Sequence, residues 1–202
     1  LGYTHYWYRP KEIRGHTMSD IVNDFMSIIP VLADIGVHLA GGDGAGEPEI
    51  NVDMIKFNGV ADCGHAKNSE ISIPWPSKEA GGIAKYGENN KAENWFAGAV
   101  IDKRCCNGDC SYETFFFPRV IDKDFKQGHN KRKDLLFDFC KTAYRPYDLA
   151  VNVFLVIAKH RLRDNIIVSS DGEMVHWQEA MMYCQIHLGY GLEFELPKEG
   201  DE

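Results

Sequence analysis

Three groups of residues in this chain carry side chains suited to chemistry. Lys141, Thr142 and Arg145 stand just before Pro146 to His160, a run that is apolar almost all round. If that run is a helix, its first N–H groups have no intrahelical partner and attract an anion. The ammonium, hydroxyl and guanidinium ahead of it then complete a cradle for phosphate. The plainer account is that Lys141 and Arg145 are solvated or paired with nearby acids. A second group is Cys63, His65, Cys105, Cys106 and Cys110, thiolate and imidazole donors of the kind zinc takes four at a time. The spacing Cys106-x3-Cys110 is loose, no Cys-x2-Cys occurs, and the two halves lie some forty residues apart, so no metal or other cofactor is assigned. The third group is His5, Glu113 and Asp171, which offer an acid and a base. An ion pair between Glu113 and Lys141 or Arg145 is the more economical use of that carboxylate.

Around these stand residues fit to hold a ring or read a hydroxyl. The opening GYTHYWYRP reads as a strand with one face buried and one available, and Tyr6, Trp7 and Arg9 are good stacking partners for a base. Core filling is the competing role for the same rings. Asn58, Ser169 and Asp171 close strands at turns, where they can meet ribose-like hydroxyls. The loop GGDGAGEPEI carries Asp43, Glu47 and Glu49, a set that could take a divalent cation but reads as a plain connection. It lacks the Lys-Ser/Thr ending of a phosphate loop and the dinucleotide glycine spacing.

The elements that must position these residues follow from periodicity. Pro146 suits a first helical turn, Asp148 suits the positive end of the helix dipole, and Lys159 with His160 suits the negative end. A helix with no wet face belongs at the centre of a fold. Met18, Ile21, Val22, Phe25, Ile28, Ile29 and Leu32 predict an amphipathic helix over 18–33, with Thr17 as its cap and Pro30 kinking or ending it early. A last helix covers 174–188 and ends at Gly189. Strands are expected at 37–40, 51–58, 69–75, 112–118, 135–140, 166–169 and 192–196, with Glu113 sharing a face with Phe115 and Phe117. Residues 76–104, rich in Pro, Gly, Asn and Lys, read as a surface excursion or lid. No internal repeat is present.

A chain of 202 residues, 44% hydrophobic, can bury one substantial core. Its net charge of −8 argues against broad capture of nucleic acid, which needs a basic face. The six Lys and Arg between Arg119 and Lys133, against Asp122 and Asp124, leave room for a local basic site. No run approaches the roughly 20 apolar residues of a membrane span, and no signal-peptide core opens the sequence. Six sparse cysteines suit reduced thiols and a cytoplasmic protein.

Several blocks together resemble a family of uncharacterised phage, prophage and bacterial proteins. They are GYTHYW, Gly-x-Gly-Glu-Pro-Glu-Ile at 44–50, Phe57-Asn58-Gly59, GDCSYETF at 108–115, FCKTA…RPYD, and VSSDG at 168–172. Relatives of that kind often carry His where this chain has Tyr112. The resemblance implies a bacterial host cell and a setting in which phages sequester or destroy the small nucleotide signals of bacterial defence. It implies no particular reaction.

The expected architecture is one α+β domain over 1–202, with a mainly antiparallel sheet of five to seven strands, three packed helices and an acidic tail at 197–202. The expected function is binding, with sequestration, of a small phosphorylated nucleotide-type ligand. Lys141, Thr142 and Arg145 would hold phosphate, Tyr6, Trp7 and Arg9 would hold the ring, and Asn58, Glu113, Ser169 and Asp171 would read hydroxyls. Two alternatives are a phosphoesterase or glycosidic hydrolase using His5, Glu113 or Asp171, and a protein-interaction or virion-associated module. Against the hydrolase, the sequence shows no paired His-x-Thr motif, no His/Asp metal cluster and no nucleophile in a familiar setting. A homo-oligomer is compatible with all three.

Overall fold

Every residue from Asp148 to Ala158 is buried, as a stretch without a polar face requires. The computed structural model describes residues 3–74, 95–96, 99–100, 103–122, 129–130 and 135–197. Most of the expected 76–104 excursion, most of the basic segment before Lys133 and the tail beyond residue 197 lie outside the described residues. In chain order the elements are β1 (Thr4–Arg9), α1 (Gly15–Asp34), β2 (Leu39–Ala40), β3 (Glu49–Ile50), β4 (Met54–Gly59), β5 (Glu70–Ile71), β6 (Trp95–Phe96) and β7 (Ala99–Val100). They continue with β8 (Arg104–Cys105), β9 (Phe115–Pro118), β10 (His129–Asn130), β11 (Leu135–Lys141), α2 (Asp148–Leu162), β12 (Ile167–Ser170) and α3 (Gln178–Leu188).

The class is α+β with antiparallel pairing, as expected, but the strands form separate sheets. One has the order β10-β11-β1-β12, and a second is built on β4, which pairs with β2, β3 and β9; β5 pairs with β8, and β6 with β7, in two-stranded sheets of their own. The covered faces of the first two share a core. Trp7 of β1 meets Phe115 and Phe117 of β9 at 5.3 and 6.2 Å, and Phe154 of α2 meets the same two rings at 5.0 and 4.9 Å. Helix α2 packs against both α1 and α3. Among the described residues no helix is long and apolar enough to cross a membrane.

Several boundaries differ from expectation for local reasons. Helix α1 begins at Gly15 with Arg14 at its N-cap, so Thr17 lies inside it. Pro30 does not end it, although it removes the helical bond to the carbonyl of Met26, a half-exposed residue. The strand expected from Asn51 starts at Met54, because the Asn51 side chain accepts the N–H groups of Asp53 and Met54 and fixes a turn. The strands expected at 69–75 and 112–118 contract to β5 and β9. Residues 192–196 form no strand; Phe194 instead stacks on Trp177 at 4.7 Å. Gly189, at φ 81°, ends α3 in the left-handed conformation that glycine adopts without penalty.

Candidate functional site

Strand β1 separates two unlike surroundings, since successive side chains point to opposite faces. On the covered side, His5 enters a buried polar network at the start of α2. The Asp148 carboxylate, fully buried, accepts from His5 Nε2 at 2.7 Å, from Thr142 Oγ1 at 2.5 Å and from the Arg104 guanidinium. Arg104 also reaches Glu179 at 3.5 Å, and its guanidinium lies 4.3 Å from the Tyr144 ring centroid. Burial works against ionising Asp148, but Arg104, His5 and the hydrogen bonds outweigh it and hold the carboxyl at about 2. Burial likewise works against charge on Arg104, and the Asp148 carboxylate overcomes it, so the pKa of Arg104 rises.

The other nitrogen of His5, Nδ1, lies 2.9 Å from Ser170 Oγ. Ser170 Oγ also accepts the Gly172 N–H at 2.9 Å and lies 3.5 Å from the Thr4 carbonyl oxygen. His5 therefore bridges Asp148 and Ser170, linking the buried carboxylate to a half-buried hydroxyl. Tyr3 closes over it, its ring 5.1 Å from that of His5; a Cβ on Gly172 would meet the Tyr3 hydroxyl at 2.1 Å.

The expected phosphate cradle is not open. The helix start already holds an anion, Asp148, which takes the Thr142 hydroxyl and the Arg104 charge for itself. Arg145 donates instead to the carbonyls of Cys105 and Cys106. Trp7 and Arg9 are fully buried: the first fills the core, and the second lies over the Phe117 ring and donates to the Pro10 and Pro118 carbonyls. Burial pulls the pKa of Arg9 down to about 10, against the pull of Asp138. Asn58 is buried and ties loops together, donating to Gly42 and Tyr112 carbonyls and accepting the Gly59 and Tyr112 N–H groups. Glu113 does not pair with the Lys141 ammonium and does not share a strand face with Phe115; its carboxylate accepts the Lys141 backbone N–H at 2.9 Å. His5 thus has Asp148 and Ser170 as partners, where Glu113 or Asp171 was expected.

On the outward side of the same sheet, four aromatic rings adjoin. Tyr6 stands opposite Phe139, and Tyr8 opposite Phe137. Phe137 has its ring centroid 6.1 Å from Tyr6, 5.1 Å from Tyr8 and 6.0 Å from Phe139. Phe139 is 49% exposed. Lys141, two residues beyond Phe139 on the same face, carries its ammonium 5.8 Å from the Tyr112 centroid. Ser169 stands opposite Tyr6 on the other flank, and the Tyr6 hydroxyl donates to Asp171 at 3.0 Å. Burial, followed by this carboxylate, pushes the Tyr6 pKa up, so the hydroxyl stays a donor.

Away from both faces, Cys63, His65, Cys106 and Cys110 converge, with one ligand atom from each lying within 4.8 Å of all the others. Cys105, expected among them, is exposed and outside the group.

No family model, curated protein or solved structure matches this chain.

The assignment of a site therefore rests on geometry. Of the residues singled out in the sequence, Tyr6, Lys141, Ser169 and Asp171 gather at the outward face, while His5 and Thr142 join the buried network. Sequence reasoning missed Tyr8, Phe137 and Phe139, although the alternate positions of LLFDFCK carry the signal. It also missed Arg104, Ser170 and Glu179: Arg104 meets Asp148 across 44 residues, Glu179 meets Arg104 across 75 and Ser170 meets His5 across 165, and separations of that size leave no local pattern.

Proposed function

We propose that this protein binds, and by binding sequesters, a small phosphorylated ligand of nucleotide type on the outward face of the β10-β11-β1-β12 sheet. The carrying observation is the run of adjoining rings Tyr6, Tyr8, Phe137 and Phe139, left partly in water on an antiparallel sheet. Rings on a strand normally turn inward, and an exposed set with a lysine at its edge suits a base and its phosphate. The base stacks on Phe139 and Tyr6, the phosphate lies toward Lys141, and Asp171 and Ser169 meet ribose hydroxyls. Resemblance to phage and prophage proteins makes a bacterial defence signal the natural ligand to try.

Calorimetric titration with AMP, ADP-ribose and a cyclic dinucleotide tests this, alongside mass spectrometry of molecules released by denaturing purified protein. One or more should bind, and Phe139→Ala and Tyr6→Ala should each weaken binding about tenfold, as loss of one stacked base contact of ~1–3 kcal/mol does. Binding unchanged in both variants overturns the reading. A partner chain that co-purifies through Phe139 with no nucleotide bound would favour an interaction module instead.

A second reading, hydrolysis of the same ligand class, is favoured by the Asp148–His5–Ser170 chain, which has the nucleophile, base and orienting acid of an activated hydroxyl. Its signature is product in excess of protein, lost in Ser170→Ala while binding persists. A sequestering protein returns its ligand intact.

A further inference from the structure

The cysteine and histidine cluster carries an inference independent of the proposed ligand face. Cys106 Sγ lies 3.4 Å from Cys63 Sγ, 3.3 Å from Cys110 Sγ and 3.4 Å from His65 Nδ1, and Cys110 Sγ lies 3.5 Å from the same nitrogen. Four sulfur ligands around zinc at about 2.3 Å stand about 3.8 Å apart along the edges of a tetrahedron, and a nitrogen shortens the edges that it joins. The separations are of that size. They are too long for a disulfide, whose sulfurs lie about 2.0 Å apart.

The backbone is shaped to bring these atoms together. Asn107 and Gly108 are both left-handed, at φ 55° and 77°, which turns the chain between Cys106 and Cys110 back on itself. Gly64, at φ 75°, does the same between Cys63 and His65. The Cys110 N–H bonds the Val60 carbonyl, and a Cβ on Gly59 would lie 2.0 Å from the Cys110 carbonyl oxygen, so only glycine admits this approach at the end of β4. Cys106 is fully buried and Cys110 nearly so, while His65 is the exposed member.

We propose that Cys63, His65, Cys106 and Cys110 bind one Zn2+ in a closed, structural site whose effect is to hold Arg104 inside the core. Three soft thiolates and an imidazole select zinc over magnesium or calcium, and four protein ligands leave no position for a substrate. The link to Arg104 is short. Arg104 and Cys105 form β8; the Cys105 N–H bonds the Tyr144 carbonyl at 3.1 Å, and the Cys106 N–H bonds the Ser69 carbonyl at 2.9 Å. Fixing Cys106 therefore fixes the strand that delivers Arg104 to Asp148.

Metal analysis by plasma mass spectrometry of protein made in zinc-supplemented cells tests the site, together with a thiol count on denatured protein. The expected result is one zinc per chain and six titratable thiols. Cys110→Ser should lose most of the zinc, whereas Cys105→Ser, next to Arg104 but outside the cluster, should keep it. Should Cys110→Ser not fold, cobalt(II) added to chelator-stripped parent protein supplies the second readout: intense visible bands of tetrahedral cobalt with thiolate charge transfer are expected. Zinc absent from the parent with no cobalt spectrum, four titratable thiols, or zinc lost equally from Cys105→Ser would each overturn the proposal. The role in holding Arg104 is overturned if stripping the metal leaves the thermal midpoint unchanged.

Discussion

His5 and Tyr6 are neighbours in the chain and opposites in surroundings. On the His5 side, Asp148, Arg104, Glu179 and Thr142 are charged or polar and buried; on the Tyr6 side, Phe137, Phe139 and Tyr8 are aromatic and partly wet. The interior is polar where the surface across the strand is apolar, an inversion of ordinary partition on both faces of one strand. The two sides accomplish it differently. The buried groups are stable because each charge has an opposite within hydrogen-bond reach, so removal of any one exposes the others to an uncompensated apolar interior. The outward rings have no such dependence, and any constraint on them has to come from what they bind.

The largest test of that contrast is Asp148→Ala. It leaves Arg104 and His5 buried without their shared carboxylate and should cost ~3–5 kcal/mol in urea unfolding; a loss under 1 kcal/mol would mean that the network is not held by this ion pair. Acid should act on the same group more gently. Because the folded-state carboxyl sits at about 2, below its ordinary value, its contribution is complete above about pH 4 and disappears as pH falls toward 2. The loss should be on the order of 2 kcal/mol across that window. Asp148→Asn, already lower in stability, should show a flatter pH dependence there. Smallest of all, Phe139→Ala should move stability by no more than about 0.5 kcal/mol, as for a surface side chain. A large loss would show that this ring is structural and would remove the contrast.

Particular residues show how far the sequence could be read. Helix α2 was legible because its apolar surface admits one placement, and β1, β11 and β12 because their periodicity is strong. Thr142 and Arg145 were misleading: types and spacing suited phosphate, but the anion at the helix start belongs to the protein itself. The four metal-type ligands were visible as residues, while their convergence depended on turns at Gly64 and at Asn107-Gly108 that pattern alone does not specify. Phe137 and Phe139 fall within the strand expected at 135–140, but the sequence does not say which face of a sheet is covered. In β11 it is Asp138, opposite Trp7, that turns inward.

The position of β1 within its sheet bears on how the chain acquires its shape. This early strand is an interior one, paired on one side with residues 136–141 and on the other with 167–170. Neither pairing can form until residues 136–141 and 167–170 have been made, and both close loops of well over one hundred residues. Contacts so distant in sequence slow folding. Through that interval Tyr6, Trp7 and Tyr8 lack their native cover, which leaves this strand open to self-association or chaperone capture.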